Sequence, residues 1–171
     1  MTALMNKWRP LMWGGFAALI ALPAIAMLAG GDVNWGPEDF TFAIILFGLL
    51  GGGIELTMRS RQLGAYRWAS VLALGLGFVT LWINLAVGII GNDDNPLNGH
   101  YIYVLGIPIV GALVARFKAN GMALAMIATA LAHGIIAGIA FAAGYNIIPF
   151  ALVIGGLHGV AAYLYRSAAK A

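Results

Sequence analysis

Long apolar segments alternate with short polar ones along the whole chain. A membrane-spanning helix needs about 17–25 mostly apolar residues to cross the hydrocarbon core of a bilayer. Six segments reach or approach that length, at residues 11–29, 40–58, 68–91, 101–115, 122–143 and 147–164. The polar segments between them are too short to fold into a further domain. The pattern therefore predicts an all-α, polytopic membrane protein with one six-helix domain over residues 1–171.

Composition supports a membrane location and excludes several kinds of chemistry. Hydrophobic residues make up 62% of the chain and charged residues 9%, whereas a soluble domain carries about 25% charged residues. So few charges cannot cover a surface exposed to water. The 24 glycines suit close packing between membrane helices. The absence of cysteine excludes disulfides, thiolate metal sites and cysteine nucleophiles.

The charged residues divide between the two sides of the predicted bundle. With six spans, both termini and the second and fourth loops share one side. That side holds every basic residue of the chain: Lys7, Arg9, Arg59, Arg61, Arg67, Arg116, Lys118, Arg166 and Lys170. The first and third loops hold acidic residues instead: Asp32, Glu38, Asp39, Asp93 and Asp94. Because cytoplasmic segments retain Lys and Arg, we expect both termini in the cytoplasm, and the basic balance indicates topology rather than nucleic-acid binding.

Polar side chains inside the predicted spans are the candidates for function, because they are costly in a bilayer. The strongest are Glu55, Asn84, His133 and His158. No predicted span contains aspartate, and the three serines lie near the basic side. These absences disfavour an intramembrane aspartyl or serine protease.

The two intramembrane histidines are expected at one depth. His133 lies eleven residues after the start of the fifth span at Met122, and His158 lies eleven residues after the start of the sixth at Ile147. At a rise of 1.5 Å per residue, each is about 16 Å from its own membrane face. The spans run antiparallel, so both histidines are predicted near the bilayer midplane.

Small residues recur along both helices that carry the histidines. One ridge is Ala130, Gly134, Gly138 and Ala142, and the other is Ala151, Gly155 and Gly159. Such ridges are typical of helix-packing faces, so we expect them to face each other and to bring the histidines together. Three roles stay open for such a pair: hydrogen-bonded packing, binding of a b-type haem or a metal, and a path for a proton or solute.

The other polar candidates have simpler explanations. Arg59 follows Glu55 by four residues, a spacing that favours an ion pair on one helix, with a proton relay as the alternative. Asn84 is expected to donate an interhelical hydrogen bond, with substrate contact as the alternative. The acidic cluster on the outer face, Asp32, Glu38, Asp39, Asp93 and Asp94, offers oxygen ligands for a cation but has no EF-hand spacing.

One segment resembles a known group of proteins. Residues 82–91 read WINLAVGIIG and are followed by NDDNPLN at 92–98. In this motif the chain resembles a family of small multi-pass bacterial inner-membrane proteins with no assigned activity. The resemblance extends from the first helix to Ala132 and includes residues 32–39 and 111–117. It implies a bacterial inner membrane, and glutamine at the position where this chain has His133.

These observations favour a non-enzymatic membrane protein that works by packing, either as an accessory subunit of a larger membrane complex or as a homo-oligomer. The first alternative is a redox protein that binds b-type haem or a metal through His133 and His158. The second is a carrier for a proton or small solute that uses Glu55, Asn84 and the histidines.

The charge distribution makes the topology testable. Single cysteines at Gly31 and Asn95 should react with a membrane-impermeant thiol reagent added outside intact cells. A cysteine at Ala119 should react only after the cells are opened. Outside labelling at Ala119, or protection at Asn95, would contradict the predicted orientation.

Overall fold

A computed structural model of the protein describes residues 8–60, 62 and 64–170. Within these residues the regular structure is entirely helical: α1 Trp8–Leu28, α2 Pro37–Arg59, α3 Gly64–Ala86, a 3-10 turn Pro96–His100 that leads into α4 Tyr101–Val114, α5 Ala119–Ala142 and α6 Ile148–Lys170. Six helical segments of the described chain are long and apolar enough to cross a membrane, which confirms the predicted number. The basic residues Lys7 and Arg61 lie outside the described residues.

The chain forms two compact units, residues 1–59 and 60–171. In the first unit, α1 packs closely on α2. A Cβ atom added at Gly51 would lie 2.6 Å from the Trp13 ring, so the absence of a side chain there admits the indole. The Phe16 and Phe47 rings meet at 5.0 Å between centroids. Gly51 therefore serves close packing within a continuous helix.

The second unit packs α3, α4, α5 and α6 around two apolar clusters. The cluster at the end of the unit that carries Arg67 and Arg166, which we call the basic end, contains Tyr66, Ala69, Met122, Ala123, Ala125, Met126, Ala161, Ala162 and Tyr165. The cluster at the opposite end contains Ile89, Ile90, Tyr101, Val104, Ile136, Ala137, Ala140, Ile147 and Ala151. The histidines lie between the two clusters along α5 and α6.

The third span ends earlier than the sequence predicted. We expected it to reach residue 91, but α3 stops at Ala86 and residues 87–98 form an ordered loop, which we call the Asn98 loop. Asn98 Oδ1 accepts hydrogen bonds from the backbone N–H groups of Ile89 and Ile90, at 3.0 and 2.8 Å. Its Nδ2 donates to the carbonyl oxygens of Ile90 and Asn92. The buried amide thus replaces helical hydrogen bonds, so the apolar run leaves the helix.

The fourth helix, Tyr101–Val114, matches the predicted span 101–115, and a 3-10 turn before it lengthens the helical segment. The 3-10 turn Pro96–His100 runs directly into α4, and together they give an apolar segment of 19 residues, Pro96–Val114. Asn95 begins the turn, and its Oδ1 accepts from the N–H of Leu97 at 3.0 Å. A span of 101–115 alone would have been too short for a bilayer.

The Asn98 loop should contribute strongly to the stability of the second unit. Asn98→Ala removes the side-chain partner of four hydrogen bonds and leaves buried backbone groups unpaired, so we expect a loss of about 2–4 kcal/mol in the free energy of unfolding. Asn95→Ala removes a single hydrogen bond to the backbone and should cost about 1 kcal/mol. Unfolding monitored by tryptophan fluorescence in detergent would measure both, and equal effects would contradict the central role of Asn98.

Candidate functional site

The structure brings His133 and His158 together inside the second unit. Their ring centroids lie 5.3 Å apart, and the ring planes are inclined by 36°. His133 is 1% exposed and His158 is 2% exposed. The two imidazoles therefore face each other in the interior of the unit, away from its lipid-facing surface.

Two aromatic rings complete the surroundings of His133. The Tyr101 ring, at the start of α4, lies 5.8 Å from the His133 ring, and the Phe150 ring, near the start of α6, lies 6.1 Å from it. Tyr101 and Phe150 also contact each other edge to face at 6.3 Å. We call these four residues, His133, His158, Tyr101 and Phe150, the histidine centre. Three helices contribute to it, and the Asn98 loop fixes the start of one of them.

Hydrogen bonding distinguishes the two histidines. His158 Nδ1 lies 2.8 Å from the carbonyl oxygen of Ile154, one turn earlier on α6. A carbonyl oxygen can only accept, so Nδ1 carries the hydrogen and a neutral ring keeps its lone pair on Nε2. His133 has no hydrogen-bond partner at either ring nitrogen among the described residues, and neither has the buried hydroxyl of Tyr101.

Unpaired polar atoms in such a place are expensive. Each costs about 1–3 kcal/mol when it is buried without a partner, and a bilayer supplies no water to compensate. By comparison, the buried Thr129 hydroxyl on the same helix donates to the carbonyl of Ala125 at 2.9 Å. The histidine centre therefore has hydrogen-bonding or coordinating capacity that the fold itself leaves unused.

The predicted ridges of small residues meet only in part. Gly155 is buried, and a Cβ atom there would lie 3.3 Å from the carbonyl oxygen of Ala130 and 3.7 Å from the His133 Cβ. Gly134, Gly138 and Gly159 are exposed, and a Cβ atom at any of them would meet no described atom within 4 Å. The expectation that these three glycines pack in the seam is wrong. Successive residues of a helix are rotated by about 100°, so turning each histidine inward turns the following glycine outward.

Two of these exposed glycines, Gly134 and Gly138, line a shallow groove on the outer surface of the α5–α6 pair. Its lining residues are Ala130, Gly134, Ala137, Gly138, Phe141, Ile148, Ala151, Leu152, Gly155 and Gly156. The histidines do not line it. Gly155 lines the groove and also lies next to His133, since a Cβ atom at residue 155 would be 3.7 Å from the His133 Cβ.

Asn84 lies on α3, one turn after the buried residue Thr80. Its Nδ2 donates to the carbonyl oxygen of Asn98 at 3.3 Å, so Asn84 binds the Asn98 loop. The Asn84 Oδ1 and Thr80 Oγ1 atoms are buried without a hydrogen-bond partner among the described residues. The expected interhelical hydrogen bond is thus made to the turn before α4.

Glu55 lies in the first unit and binds more partners than the sequence indicated. Its carboxylate accepts from Arg59 Nη2 at 2.9 Å, as the spacing predicted. It also accepts from Arg9 Nε at 2.7 Å, from Arg9 Nη2 at 3.0 Å and from Trp13 Nε1 at 2.9 Å. Sequence reasoning missed Arg9 and Trp13, because the predicted first span began at residue 11 and left Arg9 outside the helix, whereas α1 begins at Trp8. The carboxylate links α1 to α2.

The acidic residues of the outer cluster belong to both units. Asp32, Glu38 and Asp39 lie in the first unit, whereas Asp93 and Asp94 lie in the Asn98 loop of the second. Asp39 Oδ2 accepts from the N–H of Gly36 at 2.8 Å, and Glu38 and Asp39 occupy the first turn of α2, where negative charge favours a helix. Within the described part of the chain, no three His, Cys, Asp or Glu side chains are grouped to hold a metal ion.

Comparisons with protein-family models, curated protein sequences and solved structures find no match to this chain. The candidate site therefore rests on its own residues and geometry.

Two glycine substitutions on the α5–α6 pair should distinguish the buried helix contact at Gly155 from the exposed groove at Gly134. Gly155→Leu forces a side chain against Ala130 and His133, and we expect it to cost about 1–3 kcal/mol or more by overpacking. Gly134→Leu enters open space and should change stability by less than about 0.5 kcal/mol. Thermal unfolding of the purified variants would measure both. A larger loss for Gly134→Leu would show that the groove is a packing face.

Proposed function

We propose that this is a non-enzymatic integral membrane protein that binds a small ligand at the histidine centre. The observation that carries the proposal is His133, which is 1% exposed and whose two ring nitrogens have no hydrogen-bond partner among the described residues. Its ring centroid lies 5.3 Å from that of a second buried imidazole. The apolar helices fit a lipid bilayer. The distribution of basic residues supports cytoplasmic termini, and the resemblance of residues 82–98 supports a bacterial inner membrane.

A purely structural role explains the histidine centre poorly. Three unpaired polar atoms, two on His133 and one on Tyr101, would together cost about 3–9 kcal/mol. That is a large share of the stability of an ordinary domain, about 5–15 kcal/mol. Leucine or phenylalanine would fill the same space without this cost. A bound species that accepts or donates at these atoms removes the cost, so binding accounts for the residue types.

The size of the site favours a ligand much smaller than haem. A porphyrin held between His133 and His158 would extend well beyond both imidazoles. The rings of Tyr101 and Phe150 occupy that space, within 5.8 and 6.1 Å of the His133 ring. Binding of a b-type haem would therefore require both aromatic side chains to leave the core.

A continuous path for protons or solutes has less support. On the basic side of His158, two helical turns separate it from Tyr165, the next buried hydroxyl along α6. Ala161 and Ala162 lie between them and pack in the apolar cluster at the basic end. The geometry thus favours a closed binding centre over a polar channel.

The exposed groove supports a second function, association with another membrane helix. Membrane helices approach closely where small residues line the surface, and Gly134, Gly138 and Gly156 lie open on the α5–α6 pair. This surface suits an accessory subunit of a larger complex or a homo-oligomer. It is separate from the histidine centre, so the two functions are compatible.

The ligand-binding proposal can be tested with a single substitution. The protein is purified in mild detergent without a polyhistidine tag and analysed by native mass spectrometry and elemental analysis. We expect the wild type to carry one small species per chain. His133→Leu should lose that species and melt at a lower temperature, because a ligand stabilises the folded state that binds it.

The matched control is His100→Gln. His100 lies in the 3-10 turn, outside the histidine centre, where its Nδ1 contacts the carbonyl of Leu97 at 3.1 Å. This variant should keep the bound species. If His133→Leu melts at the same or a higher temperature and the wild type carries no bound species, the histidine centre is a packing feature and the proposal fails.

A further inference from the structure

We infer that the histidine centre binds a single Cu(I) ion, held between His133 and His158. This inference rests on the proposed ligand-binding function and names the chemical class of its ligand. Imidazole is a common ligand for copper. The two rings belong to consecutive antiparallel helices that Gly155 allows to approach closely.

The hydrogen bond of His158 matches the pattern of a metal ligand. Metal-binding histidines almost always donate their other N–H to a carboxylate, a backbone carbonyl or water, which fixes the tautomer and the ring orientation. His158 donates Nδ1–H to the carbonyl of Ile154 at 2.8 Å, so the lone pair of Nε2 is available. His133 has both nitrogens free of hydrogen bonds among the described residues, so either can coordinate.

The distance between the rings suits one shared ion. Metal–nitrogen bonds to histidine are about 2.0–2.1 Å long, so two nitrogens on one ion lie at most about 4 Å apart. Ring centroids at 5.3 Å are consistent with that separation, because the coordinating nitrogens lie off the ring centres. A linear N–Cu–N arrangement would place the ring centroids roughly 6 Å apart, so coordination would require the two rings to move apart by about 1 Å.

Charge and ligand number favour a monovalent ion over zinc. Among the described residues no carboxylate joins the two histidines in a group of three potential ligands. Zinc sites use three or four protein ligands, and a divalent charge is poorly compensated by neutral imidazoles in a medium of low dielectric constant. Cu(I) is stable with two neutral nitrogen ligands and carries half the charge. The Tyr101 hydroxyl supplies one more neutral oxygen beside His133.

The test measures metal binding to the tag-free protein in detergent under anaerobic conditions. Cu(I) is presented in competition with a chromophoric Cu(I) chelator, Ag(I) serves as a redox-inert monovalent ion, and Zn(II) serves as the divalent comparison. We expect one Cu(I) or Ag(I) per chain and at least tenfold weaker binding of Zn(II). X-ray absorption of the copper complex should show nitrogen ligands at about 2 Å.

Two conservative variants test whether His133 and His158 are the ligands of the ion. His133→Gln and His158→Gln keep a side chain of similar size and should each weaken Cu(I) binding by more than about 100-fold, because even outer-shell partners of a metal are worth about 10–100-fold. His100→Gln should bind as the wild type does. If a glutamine variant fails to fold, the imidazole NMR resonances of the wild-type protein, which shift when a ring nitrogen binds Ag(I), give the same assignment.

The outcomes separate this inference from the proposed function. Absence of Cu(I) and Ag(I) binding, or equal binding by the glutamine variants, overturns the copper site. Preference for Zn(II) overturns the assignment to a monovalent ion. If copper does not bind but His133→Leu still removes another co-purified species, the copper site is wrong and the ligand-binding function stands.

Discussion

The contact between Gly155 and the backbone of Ala130 determines the interior of the second unit. A Cβ atom at residue 155 would lie 3.3 Å from the carbonyl oxygen of Ala130, so α5 or α6 would have to shift by a few tenths of an ångström at the level of His133. With glycine there, the two helices approach closely enough to place two imidazoles 5.3 Å apart. The packing of Tyr101 and Phe150 over His133 depends on that same approach. The absence of a side chain at residue 155 thus allows the close approach of α5 and α6 on which the histidine centre depends.

The polar atoms of His133 and Tyr101 in the histidine centre lack, among the described residues, the hydrogen-bond partners that the buried hydroxyls near the basic end have. Near the basic end, the Tyr66 hydroxyl donates to the carbonyl of Phe117 at 2.7 Å, and Ser70 pairs with the Tyr165 hydroxyl at 2.8 Å. These side chains meet their hydrogen-bonding needs locally, as a bilayer requires. The same chain leaves His133 and Tyr101 unmatched a few turns away. In the described part of the chain, three such unmatched atoms are concentrated on His133 and Tyr101 beside a second buried imidazole, and this concentration is the reason to assign function to the centre.

Much of the architecture could be predicted because membrane helices depend on length and hydrophobicity. The number of helices follows from apolar runs, and the common depth of His133 and His158 follows from counting along antiparallel helices. The facing of the glycines could not be settled in this way, because small residues repeat on more than one face of α5 and α6 and their spacing does not show which face the neighbouring helix covers. The partners of Glu55 were incomplete for a related reason. Arg59 is a neighbour on the same helix, whereas Arg9 and Trp13 come from another helix, and local spacing does not report such contacts.

The early end of α3 was hidden from sequence reasoning by its apolar residues. Val87, Ile89 and Ile90 continue a hydrophobic run, and hydropathy alone extends the helix through them. What ends it is a side-chain amide eight or nine residues further on, which competes for the backbone N–H groups of Ile89 and Ile90. A residue that reaches back over a loop leaves no periodic signal.

The Asn98 loop also has a consequence for how this chain tolerates changes in length. Exposed loops usually accept insertions and deletions, but here the amide of Asn98 must reach Ile89, Ile90 and Asn92 at fixed separations. Tyr101 follows Asn98 by three residues, about one helical turn. One residue gained or lost before Asn98 would alter the register in which α4 meets α5, and would rotate the phenol away from His133. The loop therefore acts as a spacer that sets the alignment of α4 with α5.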